Sequence, residues 1–256
     1  MKENKRFKLK KALRYLLLGL LVLLLAGAGG FIVWATNPAQ PEAVALAAMQ
    51  TRDGVRFEDM DGWLVFEPLD SEPNSGLIFY PGGWVDPRAY APHVRDIAGQ
   101  GFTVIIVPMP LNLAFFGLNR ADQVLAAFPD IQTWAIGGHS LGGAMAAEYV
   151  RANPEQVSGL VLWASFPGGN NDLSTAELPI LSVYASQDGL ATLEDIADSR
   201  ARLPINATFV EISGGNHAGF GWYGSQNGDG HATLSKPEQQ DLIVQATAAF
   251  LAGLGQ

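Results

Sequence analysis

Residues 137–143 read Gly-Gly-His-Ser-Leu-Gly-Gly, and this stretch decides the fold. The preceding Thr133–Ile136 has the pattern of a buried strand, and the following Ala144–Val150 has the pattern of a helix. The turn between them carries a G-x-S-x-G sequence at 138–142, which presents a serine at the end of an apolar strand. Glycines two residues before and after that serine tolerate the crowding of so sharp a turn. The motif predicts that Ser140 is a nucleophile.

The length and composition of the chain fit one globular domain with an appendage. The chain has 256 residues, of which 48% are hydrophobic and 16% are charged, and it has no cysteine. The lack of cysteine excludes disulfides, thiolate chemistry and a lipidated cysteine anchor. A domain of about 215 residues is large enough to fold without a stabilising disulfide.

The N-terminal appendage has the pattern of a membrane anchor. Seven basic residues within positions 1–14 precede Leu16–Trp34, which contains no charge. Nineteen residues rise about 28 Å as a helix, close to the thickness of the bilayer hydrocarbon. The basic flank predicts a cytoplasmic N-terminus and an exported remainder. A cleaved signal peptide is the alternative, because Ala26-Gly27-Ala28 resembles a cleavage site, but the apolar run continues to Trp34 and favours a retained anchor.

These features predict four segments along the chain. They are a basic cytoplasmic segment at 1–14, a transmembrane signal anchor at 15–35, a linker at 36–52 and a globular domain at 53–256.

Charge is distributed unevenly between these segments. Residues 1–14 have a net charge of +6, whereas the rest of the chain holds nine basic and 24 acidic residues, a net charge of −15. The acidic field of the domain argues against a nucleic-acid partner. The basic segment acts as a topogenic signal and contacts anionic lipid. Nothing in the sequence resembles a metal cluster, a phosphate loop or a cofactor motif, so we predict no cofactor and no metal.

Apolar runs alternate with amphipathic stretches, which predicts a mostly parallel, twisted sheet of about eight strands with helices on both faces. An antiparallel hairpin opens it, at Val55–Glu58 and Trp63–Glu67. The further strand candidates are Leu77–Tyr80, Thr103–Val107, Thr133–Ile136, Leu160–Trp163, Ile180–Tyr184 and Thr208–Ile212. The helix candidates are Glu42–Met49, Arg88–Gly99, Arg120–Phe128, Leu141–Ala152, Leu193–Arg202 and Lys236–Leu251. The segment 214–230 is a long loop rich in glycine, and such loops are usually functional.

Ser140 needs a base, because a serine hydroxyl is a poor nucleophile until its proton is accepted. The chain has four histidines. His93 falls on a predicted helix, where a solvated or locally bonded role is favoured. His139 adjoins Ser140, and its side chain is expected to point away from the nucleophile. His217 follows the last predicted strand by five residues and lies nearer the carboxyl edge of the sheet than His231, which favours His217 as the base.

The acid that orients the base is expected at the same edge of the sheet. Asp188 follows the strand candidate Ile180–Tyr184, although its Asp-Gly pair is also an ordinary turn. Glu194 and Asp195 are the alternatives, but they have the position of first-turn residues that complement a helix N-terminus. The position therefore favours Asp188.

Backbone donors for an oxyanion are expected after an early strand, in Tyr80-Pro81-Gly82-Gly83-Trp84. Glycines there let N–H groups approach a substrate closely. The predicted donors are the Leu141 N–H, at the start of the elbow helix, and the N–H of Gly83 or Trp84. The stretch is also a turn ahead of Asp86-Pro87, which resembles a helix cap followed by a first helical proline.

These motifs resemble the α/β-hydrolase superfamily, in particular its compact, uncapped branch of dienelactone-hydrolase-like esterases. The resemblance covers Gly76–Leu251 and rests on Tyr80–Gly83, Gly138–Gly142, Asp188-Gly189 and Asn216–Ala218. It implies an α/β-hydrolase domain at 53–256. It also implies the roles of nucleophile for Ser140, acid for Asp188 and base for His217, in the chain order of this fold.

Two departures limit what the resemblance implies. Pro81 stands where many lipases and esterases have histidine, and dienelactone hydrolases use a cysteine nucleophile that this chain lacks. Lactone substrates are therefore not implied.

The sequence predicts an open site with apolar walls. Only about sixteen residues separate Trp163 from Ile180, too few for the large lid domain often inserted there. Pro108–Phe116 leaves another strand at the catalytic edge and could line an acyl pocket or cover the core. The aromatic wall candidates are Trp84, Phe166, Trp222 and Tyr223.

The sequence thus predicts a membrane-tethered, exported serine hydrolase of the carboxylesterase or lipase kind. It would cleave a small-molecule or lipid-like ester through an acyl-enzyme on Ser140. Two alternatives stay open: acyl transfer or amide cleavage on a cell-envelope molecule by the same triad, and an inactive hydrolase-like binding module. The sequence indicates no oligomeric state.

Overall fold

The computed structural model describes residues 2–254. Positions 1, 255 and 256, at the outer ends of the predicted segments 1–14 and 53–256, lie outside the described residues. The side chains of residues 2–6, 8 and 9, which include four of the basic residues of the predicted cytoplasmic segment, also lie outside them. The chain divides into two units, residues 1–38 and residues 39–256.

The first unit is a single helix, α1, at Lys2–Ala35. Its part Lys10–Ala35 has 26 residues and a mean hydropathy of 2.7, so it is long and apolar enough to cross a membrane. The helix runs unbroken through the basic segment, because lysine, arginine, leucine and alanine are strong helix formers and no proline interrupts them.

The second unit is built on one eight-stranded sheet with the order β1-β2-β4-β3-β5-β6-β7-β8. Pairing is antiparallel for β1 with β2 and for β2 with β4, and parallel for all the other neighbours. The strands are β1 Val55–Met60, β2 Trp63–Pro68, β3 Ser75–Tyr80, β4 Thr103–Ile106, β5 Thr133–His139, β6 Gly159–Trp163, β7 Ile180–Ala185 and β8 Thr208–Ile212. The prediction of a mostly parallel sheet opened by a hairpin is confirmed.

The helices cover both faces of the sheet, and each face packs a separate hydrophobic cluster. The α-helices of this unit are α2 Ala43–Ala48, α3 Ala91–Ala98, α4 Ala121–Ala127, α5 Leu141–Ala152, α6 Leu193–Ser199 and α7 Lys236–Leu254. Short 3₁₀ turns flank several of them, at Pro87–Tyr90, Leu118–Arg120 and Arg200–Arg202. Two of the longer predicted helices, Arg88–Gly99 and Leu193–Arg202, therefore divide into an α-helix and a 3₁₀ turn.

The 3₁₀ turn before α3 has a local cause. Asp86 accepts a hydrogen bond from the Arg88 N–H, and Pro87 takes the first helical position, as the sequence predicts. Pro92 has no N–H to donate, so the α-helical bonding pattern starts only after the turn.

Residues 39–52, which lie within the predicted linker 36–52, belong to the second unit. The buried guanidinium of Arg95 on α3 donates to the carbonyls of Ala48, Gln50 and Arg52. These bonds fix the segment after α2 against the domain. The carboxyl ends of β3, β5, β6, β7 and β8 meet at one edge of the sheet, where the loops considered below converge.

Candidate active site

Ser140 lies in a strained turn between β5 and α5. Its backbone has φ 51° and ψ −121°, a conformation that costs a residue other than glycine about 1–3 kcal/mol. The Ser140 N–H donates to the Trp163 carbonyl at 2.9 Å, and the Ser165 hydroxyl donates to the Ser140 carbonyl at 2.7 Å. The backbone of Ser140 is therefore fixed, while the residue stays partly exposed to solvent.

The elbow glycines are required by close backbone contacts. A methyl group at Gly142 would collide with the carbonyl oxygens of Tyr80 and Pro81, and one at Gly138 would collide with the Tyr80 carbonyl. The turn thus packs directly on the chain leaving β3. Neither position has room for a larger residue.

His217 and Asp188 form a buried pair at the same edge of the sheet. The Nδ1 atom of His217 lies 2.8 Å from a carboxylate oxygen of Asp188, and their side chains are 2% and 0% exposed. The other carboxylate oxygen accepts the N–H groups of Leu190 and Ala191 at 2.8 and 2.7 Å. Because an ionised carboxylate only accepts hydrogen bonds, the imidazole hydrogen lies on Nδ1 and the lone pair on Nε2.

No hydrogen bond joins Ser140 to His217 in this structure. The Nε2 atom of His217 is buried and has no hydrogen-bond partner among the described residues. The ring of His139, next to Ser140 in the chain, lies 4.5 Å from the ring of His217 between centroids, so the imidazole reaches the elbow. The structure thus brings Asp188 and His217 together and leaves the contact with Ser140 open, as is common in enzymes without substrate.

The other candidate residues take different positions. His231 is exposed in the loop after the last strand. Asp195 forms a capping box with Thr192 at the start of α6, and Glu194 lies in the same first turn. These residues have the structural roles that their local sequence favours.

His139 lies in a buried polar layer beneath the elbow. The Gly82 N–H donates to the Tyr90 hydroxyl at 3.0 Å, and that hydroxyl lies 2.8 Å from the Nδ1 atom of His139. The ring of His139 stacks on Phe220, with 5.7 Å between centroids and 13° between planes. The layer joins the loop after β3 to the ring beside His217. The sequence predicted that His139 turns away from the nucleophile but did not identify Tyr90.

Besides His217, His93 and His139 are buried, and burial keeps both of these rings neutral. Burial lowers the pKa of His93 to about 3, while the backbone of Gly219 opposes this effect in part. Burial, with further contributions from His217 and His93, holds the pKa of His139 well below its ordinary value. His93 lies on a helix, as expected, but a solvated role was wrong, because the residue is fully buried near Trp163.

The oxyanion candidates lie side by side. A methyl group built at Gly83 would be 3.0 Å from the Cδ2 atom of Leu141. Within the described part of the chain, the N–H groups of Gly83 and Leu141 donate to no other group. The Trp84 N–H, by contrast, donates to the Asn112 carbonyl at 2.8 Å. The structure therefore leaves Gly83 and Leu141 as the available pair.

An apolar rim surrounds this edge of the sheet. Trp84, Phe115 and Phe116 are exposed, as are Leu190 and Leu193 beyond Asp188. The rings of Phe115 and Phe116 lie 4.2 Å apart between centroids. Residues 164–179 form neither helix nor strand, so no lid domain interrupts the chain there.

The remaining aromatic wall candidates are buried or partly buried. Tyr223 is buried beside Tyr90, and burial raises its pKa well above the ordinary value. The Trp222 indole donates to Gln240 on α7 at 2.6 Å. Phe166 is partly buried against the core. Of the four candidates, only Trp84 is exposed at the rim.

Three residues of the site were missed by the sequence analysis. Tyr90 and Ser165 act through contacts with distant parts of the chain, which no local pattern reveals. Asp229, in the long loop after β8, accepts backbone hydrogen bonds from both the Asp188 loop and the His217 loop. Its only signal in the sequence is an acidic residue between two glycines. Among the described residues, no group of three or more His, Cys, Asp or Glu side chains could hold a metal ion.

Comparison with protein families gives one match. Residues 76–241, more than half of the chain, match the model of the alpha/beta hydrolase family. A comparison with curated proteins gives no significant match.

Solved structures share the fold at low sequence identity. The esterase domain of a Rhodothermus marinus protein is 15% identical over 77% of this chain and 95% of its own length, with a TM-score of 0.55. Esterase 2 of Thermogutta terrifontis is 16% identical over 80% and 97%, with a TM-score of 0.57. Est1E of Butyrivibrio proteoclasticus, solved with ferulic acid, is 13% identical over 77% and 99%, with a TM-score of 0.57. These likenesses confirm the expected fold, whereas the dienelactone-hydrolase-like branch stays a prediction.

Proposed function

The chain belongs to the alpha/beta hydrolase family, and from this premise we propose that it is a serine hydrolase that cleaves carboxylic esters. The observation that carries the proposal is the buried Asp188–His217 pair, whose Nε2 lone pair is unused beside the strained serine elbow. A base held in one tautomer by a carboxylate, next to an accessible serine, is the arrangement that nucleophilic acyl transfer requires.

The proposed reaction has two halves. Rotation of the Ser140 side chain brings its hydroxyl to the Nε2 atom of His217, which takes the proton as the oxygen attacks the ester carbonyl. The N–H groups of Gly83 and Leu141 stabilise the negative oxygen of the tetrahedral intermediate. His217 then protonates the leaving alcohol, and an acyl-enzyme forms on Ser140. Water, deprotonated by His217, releases the acid.

The apolar rim supports an uncharged acyl group as the preferred substrate. Trp84 directly follows Gly83, Phe115 and Phe116 add exposed aromatic surface in the loop after β4, and the segment 109–117 carries no charged residue. Burial of an acyl chain or an aromatic acid against such surface is favourable, because it removes apolar area from water. Butyrate and hydroxycinnamate esters are therefore suitable first substrates, since related folds were solved with butyrate and with ferulic acid.

The test is hydrolysis of p-nitrophenyl esters and methyl ferulate by the wild type and by Ser140→Ala, with identification of the products. We expect a free acid as product and loss of activity in the variant. Hydrolysis undiminished in Ser140→Ala, or ligand binding without turnover across an ester and peptide panel, would contradict the proposal. Acyl transfer to a second alcohol or amine, in preference to water, would favour the transferase alternative.

We further propose that α1 is a retained anchor, with the N-terminus in the cytoplasm and the hydrolase domain outside. The support is the apolar part Lys10–Ala35 and the basic residues before it. Carbonate extraction and N-terminal sequencing of the native protein test this. A mature chain that starts near Gly29 would rule out the anchor and indicate a secreted enzyme.

A further inference from the structure

Asp229 lies at the junction of the two loops that hold the acid and the base. One of its carboxylate oxygens accepts the Gly189 N–H at 3.2 Å and the His217 N–H at 3.1 Å. The other oxygen accepts the Ala218 N–H at 2.8 Å. One side chain thus bonds the residue after Asp188 and the backbone of His217 itself.

The same loops are in close backbone contact around this carboxylate. A methyl group at Gly230 would collide with the Gln187 carbonyl, and one at Gly189 would collide with the Gly228 carbonyl. The Asn216 side chain donates to the Gly230 carbonyl at 2.9 Å. The loop that carries Asp229 therefore packs directly against the loop that carries Asp188, with no space for an added methyl group at these contacts.

We propose that Asp229 is a positioning residue for the reaction: it fixes the Asp188 loop against the His217 loop, and so sets the distance and angle between acid and base. This inference rests on the proposed function, because it concerns the same site. A small displacement of Asp188 relative to His217 would slow the reaction, since an error of about 1 Å can lower a rate about 100-fold.

The test compares Asp229→Asn with Asp130→Asn, an exposed carboxylate before β5 at the opposite edge of the sheet. The asparagine keeps the size of the side chain, but it loses the charge and turns one acceptor into a donor that opposes an N–H group. We expect kcat to fall about 10- to 100-fold in Asp229→Asn, with KM within about twofold of the wild type. Asp130→Asn should change neither of these.

Hydrogen exchange provides a second measurement that needs no activity. In Asp229→Asn, and more strongly in Asp229→Ala, the amides of Gly189, His217 and Ala218 should lose protection while the strand amides keep theirs. A wild-type kcat in Asp229→Asn, or unchanged protection at the three amides, would overturn the inference. If the wild type shows no Ser140-dependent activity, the proposed function fails, and the exchange measurement still decides whether Asp229 holds the two loops together.

Discussion

The serine elbow and the histidine loop meet at one edge of the sheet, but they are held there by different means. The elbow is a turn between β5 and α5, and its shape depends on backbone contacts of Gly138 and Gly142 with the chain leaving β3. The loop 214–230 contains only one 3₁₀ turn, at Ala218–Phe220. Its position depends on hydrogen bonds that the side-chain oxygens of Asp188, Asp229, Asn216 and Gln239 accept.

This difference predicts two kinds of sensitivity. The serine elbow, which is built from backbone contacts, should not tolerate added atoms, but changes of charge should have little effect on it. The histidine loop, which is held by polar side chains, should respond to the loss of a single carboxylate or amide.

The largest effects should come from changes to His217 and Asp188, the proposed base and acid. His217→Gln and Asp188→Asn should lower kcat about 10⁴-fold or more, because the base is lost in one variant and its tautomer is no longer fixed in the other. Steady-state kinetics on a p-nitrophenyl ester measures this. His231→Gln is the matched control and should keep wild-type kinetics, since His231 is exposed in the same loop. A loss in His231→Gln equal to that in His217→Gln would refute the assignment of the base.

Added volume should be most damaging in the elbow. Gly142→Ala should destabilise the domain by about 3 kcal/mol, because the methyl group meets two backbone carbonyls that cannot move aside. Urea unfolding measures this effect. Gly168→Ala is the control, because a methyl group at Gly168 has nothing within 4 Å. If both variants unfold at the same urea concentration as the wild type, the steric account of the elbow is wrong.

These contrasts also explain what the sequence could predict. The elbow, the chain order of the candidate residues and the buried strands follow from local patterns, since glycine spacing and apolar runs are visible in the sequence. The roles of Tyr90, Ser165 and Asp229 depend on which loops meet after folding, and a local pattern does not contain that information. The helices at Arg88–Gly99 and Leu193–Arg202 were predicted too long because their 3₁₀ turns depend on proline positions and tertiary packing.

The buried histidines beneath the site predict sensitivity to acid. Because the pKa of His93 is lowered to about 3 in the folded state, the unfolded chain binds its proton first as the pH falls below about 6.5. The contribution of neutral His93 to the free energy of unfolding is fully present above that pH. It is lost progressively as the pH falls below it, at about 1.4 kcal/mol per pH unit. In His93→Gln the decline in unfolding free energy between pH 6.5 and pH 4 should be shallower by that amount. His231→Gln should keep the wild-type slope, and an unchanged slope in His93→Gln would contradict this account.

The smallest effect should come from the buried polar layer of Tyr90 and His139, which lies between the elbow and the histidine loop. Tyr90→Phe removes the hydroxyl that joins Gly82 to His139 and leaves buried polar groups without a partner. We expect a loss of about 1–3 kcal/mol in stability and a fall of about 10-fold in kcat. Tyr149→Phe removes a hydroxyl bonded to Asp122, away from the site, so it should lower stability without changing kcat. Equal kinetics in the two variants would show that the layer only supports the fold.

Covalent labelling with a fluorophosphonate tests the central claim most directly. The reagent reacts with a serine whose proton is taken by a neighbouring base, so the account predicts one adduct, on the peptide that contains Ser140. The adduct should be absent in Ser140→Ala and should form far more slowly in His217→Gln. An adduct on a different residue, labelling that persists in Ser140→Ala, or no labelling of the folded wild type would contradict the account.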